Sequence, residues 1–370
     1  MTAVGIIFSE IHDHNLPEIT KKRTLGSVPF GGRYRLIDFV LSNMVNSGIT
    51  SVGVVARNNY QSLLSHLGSG KEWDLSRKFG GLTVFPPYSH SSGAGLYSGR
   101  LDALKGVLST IEKVNDDYVV LADSDTICNI DYTDIFKYHK EKDADITVVY
   151  QRKTVENKSL SSTIYDIDDN GRVTTAFVGI APDGEENISL GMWIVKRDLL
   201  ITLVREAIAV GKLSFEKDII AKRAESLKIY GYGFEGYAIK IDSNRSLFEA
   251  NMDLLKPEVR KELFKKNSPI YTKVRDEAPT RYASDVTVKN SLIANGCVIL
   301  GNLENCVVSR GVQIGKGAKI KNSIIMQGAV IGDNAEITNA IIDKNCVIKD
   351  GRVLSGHETY PFVLAKESIV

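Results

Sequence analysis

The stretch Phe8–Gly32, FSEIHDHNLPEITKKRTLGSVPFGG, brings carboxylates, imidazoles and cations close together. It follows the apolar run Ala3-Val4-Gly5-Ile6-Ile7, which reads as a buried strand entering a turn. In an α/β fold that handles nucleotides, a glycine-rich loop at this place offers backbone N–H groups to phosphates. Here Ser9–Asn15 contain no glycine and bring two carboxylates, Glu10 and Asp13. Such a turn cannot take positive φ freely, and its charge repels a polyphosphate. His12 and His14 could face one side of an extended loop, but no third ligand accompanies them. The segment therefore reads as a solvated surface loop, not a metal centre. Basic residues follow: Lys21, Lys22 and Arg23, then Arg33 and Arg35, which suit either a solvated face or an anion site. Farther on, Asp125 ends the run DYVVLADSD, where a strand-end carboxylate can hold a metal or close a turn.

These residues need a scaffold, and residues 1 to about 155 supply its pattern, apolar runs alternating with helical periodicity. That pattern predicts a mostly parallel sheet with crossover helices. Helices are expected over Tyr34–Asn46, Asn59–His66, Leu101–Val114, Leu199–Val210 and Phe215–Ala224. Strands are expected over Ser51–Ala56, Leu82–Phe85 and Asp117–Leu121, with another starting at Ile146. Asn157–Ser161 is polar and reads as a loop. Asp166–Gly171 reads as a hairpin turn, lacking the closing glutamate of a calcium loop. A helical stretch, Ser246–Leu263, is interrupted at Pro257 and connects to the tail. The divisions expected are a nucleotide-handling domain over 1–242, a helical linker over 243–282 and a repeat domain over 283–370.

Bulk composition narrows the function classes. With 43% hydrophobic and 25% charged residues in 370, the chain has the make-up of a soluble globular protein. A net charge of +1 gives no footprint for nucleic acid or an anionic membrane. No spanning run or signal-peptide pattern is present. Cys128, Cys297, Cys306 and Cys346 have no CxxC spacing and read as reduced structural thiols of a cytoplasmic protein.

The tail is periodic. Asn290-Ser-Leu-Ile, Asn305-Cys-Val-Val, Asn322-Ser-Ile-Ile and Asn339-Ala-Ile-Ile recur, interleaved with Gly296-Cys-Val-Ile, Gly311-Val-Gln-Ile, Gly328-Ala-Val-Ile and Asn345-Cys-Val-Ile. Hexads of this kind, close to three per coil, predict a parallel β-helix with β-branched residues inside and Gly or Asn at positive-φ corners. The tail's only histidine, His357, lies beyond the last clear repeat, which argues against acyl transfer.

The run Val28-Pro29-Phe30-Gly31-Gly32-Arg33-Tyr34-Arg35-Leu36-Ile37-Asp38-Phe39, together with Trp73-Asp74-Leu75, SLFEANMDLL from Ser246 and the Asn322 repeat, closely resembles the glucose-1-phosphate adenylyltransferase (ADP-glucose pyrophosphorylase) family. The resemblance covers almost the whole chain. It implies an α/β nucleotidyltransferase domain followed by a left-handed β-helix. In catalytic members, glucose 1-phosphate attacks the α-phosphorus of ATP with Mg²⁺ present.

Set on that family's motifs, four elements depart. Glu10, Ile11 and Asp13 stand at the three glycines of A-G-G-x-G-x-R-L-x-P-L-T, and Asn15 at its arginine. Leu25 replaces a phosphate-binding lysine, and Ala181 another in the E-K-P triplet. Of two metal-binding aspartates, Asp125 matches the first, but Lys240 stands at the second, with Asp242 two residues on. Losing one preorganised electrostatic group typically slows a reaction by about 10²–10³-fold, so these losses together leave little turnover.

The pattern resembles the non-catalytic, D-type regulatory subunit of bacterial glycogen synthesis. The resemblance implies a catalytic adenylyltransferase partner in a tetramer, with Mg²⁺ required only by that partner. Lys22, Arg23 and Arg35 match residues that bind anionic regulators in relatives. Two other functions compete: an active transferase using Asp242, and a free-standing sugar-phosphate or nucleotide sensor.

Overall fold

The computed structural model describes residues 2–9, 11–86, 97, 99–155, 162–179 and 184–370. Glu10, Ala181 and the expected loop Asn157–Ser161 lie outside the described residues.

The first domain is laid out in chain order as β1 (Ala3–Phe8), α1 (Leu36–Asn46), β2 (Ser51–Val55), α2 (Gln61–Leu67), β3 (Gly81–Phe85), α3 (Arg100–Lys113), β4 (Tyr118–Asp123), β5 (Thr126–Cys128), α4 (Tyr132–Glu141) and β6 (Ile146–Val155). There follow β7 (Thr163–Ile167), β8 (Val173–Val178), β9 (Gly184–Lys196), α5 (Arg197–Ala209), β10 (Ile229–Gly233) and β11 (Ala238–Lys240). The main sheet runs β8-β7-β9-β4-β1-β2-β3, with β6 pairing β9 and β10. Its first half is parallel, β1 lying between β2 and β4. The parallel order expected over residues 1 to about 155 holds for β1 to β4; beyond that stretch β9 runs antiparallel to β4, β6 and β7. β7 and β8 also pair antiparallel, because the Asp166–Gly171 turn that joins them is too short for a crossover. In that turn the Asp168 carboxylate accepts from the N–H groups of Asn170 and Arg172, and Gly171 takes φ 82°.

Strand β1 and residues Val119–Ala122 of β4 are apolar because helices cover both faces of the sheet. Leu101, Leu104 and Val107 of α3 and Leu200 and Val204 of α5 pack on one side. Ile37, Val40 and Leu41 of α1 and Ile135 of α4 pack on the other.

Helix boundaries shift for identifiable reasons. The helix expected from Tyr34 starts at Leu36, since Tyr34–Arg35 pairs with Pro29–Phe30 in a hairpin and Asp38 caps the Arg35 N–H at 2.9 Å. The helix expected from Asn59 starts at Gln61, because Asn59 has φ 50°. Over Phe215–Ala224 the chain winds more widely, as a π-type turn from Glu216 to Ala221.

The expected helical linker is helical only in its first half, as α6 (Asn244–Asp253) and α7 (Pro257–Leu263). From Ser268 to Thr280 the chain has no helix. Nor is α6 merely a connection: Leu247 and Leu254 share a buried cluster with Leu25, Phe30 and Phe39 of the first domain and Ile324, Met326 and Ile341 of the tail. One hydrophobic core thus spans both domains.

The tail is the parallel β-helix that its period predicts. Short parallel strands stack with offsets of 15 and then 17 residues, as in Val298 on Gln313 and Cys306 on Ser323 on Ala340. These parallel sheets on hexapeptide repeats are consistent with the left-handed form. Ile314, Ile320, Ile331 and Ile337 are buried inside. Asn290, Asn305, Asn322 and Asn339 occupy positive-φ corners, and their side-chain amides form a ladder: Asn305 donates to Asn322 at 3.0 Å and Asn322 to Asn339 at 3.2 Å. All four cysteines are buried free thiols.

Candidate functional site

Two places gather charged groups, and the first is the cleft at the ends of β1 and β4. Ser9 leaves β1 with its hydroxyl donating to the Val55 carbonyl at 2.8 Å. The chain then makes a 3₁₀ turn over Asp13–Asn15 and one helical turn over Pro17–Thr20. Asp13 folds back and accepts the Leu25 N–H at 2.7 Å. Burial raises its carboxyl to about 7, against the pull of the Leu25 hydrogen bond and Arg57. The Leu25 side chain points away from the cleft into the core with Leu16, Ile19 and Val28.

His12 is not a solvated loop residue. Its Nδ1 lies 2.5 Å from Asp125 Oδ2, and the side chain is only 14% exposed. On the other side β11 pairs with β5, setting Lys240 opposite Thr126 and its Nζ 3.8 Å from the same Asp125 oxygen. Burial alone would raise the Asp125 carboxyl, but Lys240, His12 and Arg100 hold it well below the usual carboxylate range. Two residues earlier, Asp123 is gripped through both oxygens by Arg100, whose third nitrogen reaches Glu216 at 2.5 Å. Buried Arg100 stays charged because Asp123 and Glu216 outweigh its desolvation.

The second place lies between the domains. The hairpin Pro29–Arg35 meets the β-helix so closely that a Cβ at Gly32, which has φ 78°, would stand 3.2 Å from the Val308 carbonyl. Beside it opens a cleft lined by Arg33, Arg35, Lys273, Arg275, Arg310 and Lys344, with His66, Ser309 and Gln327. Arg35 is held by the Ser62 carbonyl at 2.7 Å and hydroxyl at 2.9 Å. Lys273 donates to the Ser65 carbonyl. Burial, and after it mutual repulsion, weakens their hold on protons. Burial, with Arg35, Arg23 and Arg275 nearby, brings Lys344 down to about 8. Arg35 falls to about 10, lowered by burial and by Arg23 and Arg275 despite Asp38. His66 is also lowered, since burial outweighs its 2.5 Å contact with Asp38.

Comparison with known proteins fits both places into one family. The nucleotidyl transferase family matches residues 14–255, and the C-terminal hexapeptide family of GlmU-like proteins matches 277–359. The glycogen biosynthesis protein GlgD of Bacillus subtilis is 38% identical over 319 residues, covering 86% of this chain and 82% of its own. The glucose-1-phosphate adenylyltransferase of Clostridium kluyveri is 36% identical over 329 residues, covering 86% and 83%. GlgD of Geobacillus stearothermophilus is 38% identical over 321 residues, covering 86% and 82%. The chain belongs to the family of GlgD and glucose-1-phosphate adenylyltransferase.

The donor set of this family member does not fit the Mg²⁺ that the catalytic chemistry requires. His12, Asp123 and Asp125 place ligand atoms within 4.8 Å of one another, and Asp242 is not among them. Those atoms are already committed: His12 to Asp125, and both Asp123 oxygens to Arg100. Asp242 instead accepts from the Ser243 hydroxyl at the start of α6 and does not join this group.

Of the residues matched to effector binding, only Arg35 lines the interdomain cleft. Arg23 is buried behind it, bonding both oxygens of Asp343 at 2.6 and 2.5 Å, the side chains being 2% and 0% exposed. Lys22 pairs with Glu367 at 2.6 Å on the surface. Ile11 packs against the α3 side of the core, and Asn15 closes the 3₁₀ turn through its N–H on His12. Arg275, Arg310 and Lys344 escaped sequence reasoning because they share no motif. His12 was missed because its partner lies 113 residues away. A usable signal for Arg23 was present: the coil position held by Ser309 and Met326 becomes an aspartate, Asp343, in the next coil.

Proposed function

We propose that this chain is a regulatory, catalytically silent subunit in cytoplasmic glycogen synthesis. It assembles with a catalytic glucose-1-phosphate adenylyltransferase and tunes it. The observation that carries this reading is the state of the cleft. A scaffold matching catalytic relatives over most of its length keeps its first metal-binding position, Asp125, but surrounds it with its own His12 and Lys240. The turn over Asp13–Asn15 is tied down by internal hydrogen bonds instead of presenting open N–H groups to a phosphate.

The interdomain cleft adds the regulatory half. Among the described residues, none of its six cations makes an ion pair, so an anion with one or more phosphates would find preorganised partners there. Because the cleft is made by both domains, such a ligand binds best when they are held together. It can therefore bias the partner subunit through differential affinity.

The decisive experiment mixes the purified chain with a catalytic homologue of the same organism and compares ADP-glucose formation with each alone. A gain in rate, substrate affinity or effector response is expected from the mixture, and none from this chain by itself. Robust pyrophosphate release by this chain alone, from ATP, Mg²⁺ and glucose 1-phosphate, would instead establish an active transferase. Calorimetry on the isolated chain tests the sensor reading, which needs tight effector binding and no effect on a catalytic partner.

A further inference from the structure

The mismatch between the cleft and a divalent ion is specific enough to be assigned to one side chain. Three buried carboxylates meet here, Asp123, Asp125 and Glu216. Two permanent cations answer them, Arg100 on Asp123 and Glu216 and Lys240 on Asp125, with His12 as a further partner of Asp125. The cluster is thus neutral, or nearly so, with no added ion. Inserting a divalent cation would leave an excess of positive charge at a site where Asp125 is 2% exposed. The backbone fixes this arrangement: Lys240 pairs with Thr126 across β5 and β11, and the next residue, Ile241, donates its N–H to the Asp125 carbonyl at 2.7 Å. Residue 240 is therefore held beside Asp125 whatever its side chain.

We infer that Lys240 is a tethered counter-cation standing where a divalent ion would be held, and that its charge, more than the contacts of His12 and Arg100, keeps divalent metal out of the cleft. Exchanging Lys240 for aspartate sets a second carboxylate beside Asp125, on a segment already in register, and creates a divalent-cation site. Arg100 stays paired with Asp123 and Glu216, so the new site rests on Asp125 and residue 240 and does not draw on Asp123. The inference concerns the isolated chain and holds whether or not it assembles with a catalytic partner.

The test is Mn²⁺ binding to the full-length chain, followed by loss of the free-ion paramagnetic resonance signal and by thermal denaturation with Mn²⁺ or with chelator. Wild type should bind no Mn²⁺ in the cleft, and its melting temperature should not respond. Lys240→Asp should bind at least about a hundredfold more tightly, since the swap reverses a unit charge within about 4 Å of the ion. Its melting temperature should fall in chelator and recover with Mn²⁺. Lys240→Met, which removes the charge without supplying a ligand, should fall without recovering. Wild type binding Mn²⁺ as tightly as Lys240→Asp overturns the inference, and so does a folded Lys240→Asp chain that binds none. If Lys240→Asp folds only with Mn²⁺, the inference stands. If it folds under neither condition, the wild-type titration decides alone, bound Mn²⁺ refuting the tethered cation and unmoved free-ion signal supporting it.

Discussion

Replacing Lys344 with glutamine should make the protein more stable at neutral pH. Its ammonium sits at a crowded cationic wall and is brought from 10.5 down to about 8 by burial and by Arg35, Arg23 and Arg275. Each unit of pKa is 1.36 kcal/mol, so a shift of this size sets an upper limit of about 3 kcal/mol for keeping Lys344 charged at pH 7. Solvent at the cleft mouth screens part of that, leaving roughly 1–2 kcal/mol. The sign follows from proton counting. Below pH 8 folded and unfolded chains both carry the proton, and the full penalty applies. Between pH 8 and 10.5 the folded state releases it first, so stability rises with pH, and above 10.5 the penalty is gone. Urea unfolding at pH 7 should therefore show Lys344→Gln ahead by about 1–2 kcal/mol, with the advantage gone by pH 10.5. Sulfate or phosphate, compared with chloride at matched ionic strength, should stabilise wild type more than the variant, because the ligand supplies the charge the wall lacks. A variant no more stable than wild type at pH 7, or one whose advantage persists undiminished at pH 10.5, would refute the reasoning.

Other expectations concern the loop, the domain junction and the repeat. Asp13, raised to about 7 mainly by burial, binds protons in the folded state that the unfolded state has released. Stability should fall from about pH 4 to 7 and then level off, and Asp13→Asn, which still accepts the Leu25 N–H, should flatten that slope in urea titrations across the range. An unchanged slope in Asp13→Asn would show that its carboxyl titrates normally. Arg23→Met leaves Asp343 buried without its partner and should cost about 3–5 kcal/mol, whereas Arg23→Met with Asp343→Leu should recover most of it; a double-mutant cycle reads the coupling. Asn322→Ala puts a Cβ without a polar group at φ 46° and breaks two rungs of the amide ladder, so about 2 kcal/mol should be lost, and Asn322→Gly should lose less. Denaturant midpoints of the two variants check that order.

The tail was legible because a coil repeats its sequence along with its shape, so offsets of 15 and 17 residues in sequence became the observed strand register. The first half of the sheet was legible for a related reason: strands buried on both faces read as unbroken apolar runs such as Ala3–Ile7. What the sequence hid was everything made by pairing across distance. The family motif leads one to expect an aspartate where Lys240 stands, but the approach of Lys240 to Asp125 depends on a two-stranded ribbon linking residues more than a hundred positions apart. His12 looked like loop polarity until Asp125 supplied its partner. The cation cleft draws on the hairpin, the linker and three coils, and no local pattern marks residues that become neighbours only when two domains dock. Arg23 shows the opposite error: a motif suggested an open ligand-binding cation, and burial beside Asp343 commits it to the protein itself.

The Arg23–Asp343 pair also sets a clock. Its halves are separated by 320 residues, so the arginine leaves the ribosome long before its carboxylate. At about 5–20 residues per second the wait is roughly 15–60 s, during which the first domain can assemble its sheet while its junction face stays hydrated and unsealed. Ribosome-bound chains stalled before Asp343 should thus remain open to protease at the junction even where the sheet is already protected. The coil that carries Asp343 acts as the fastener of a core begun 320 residues earlier.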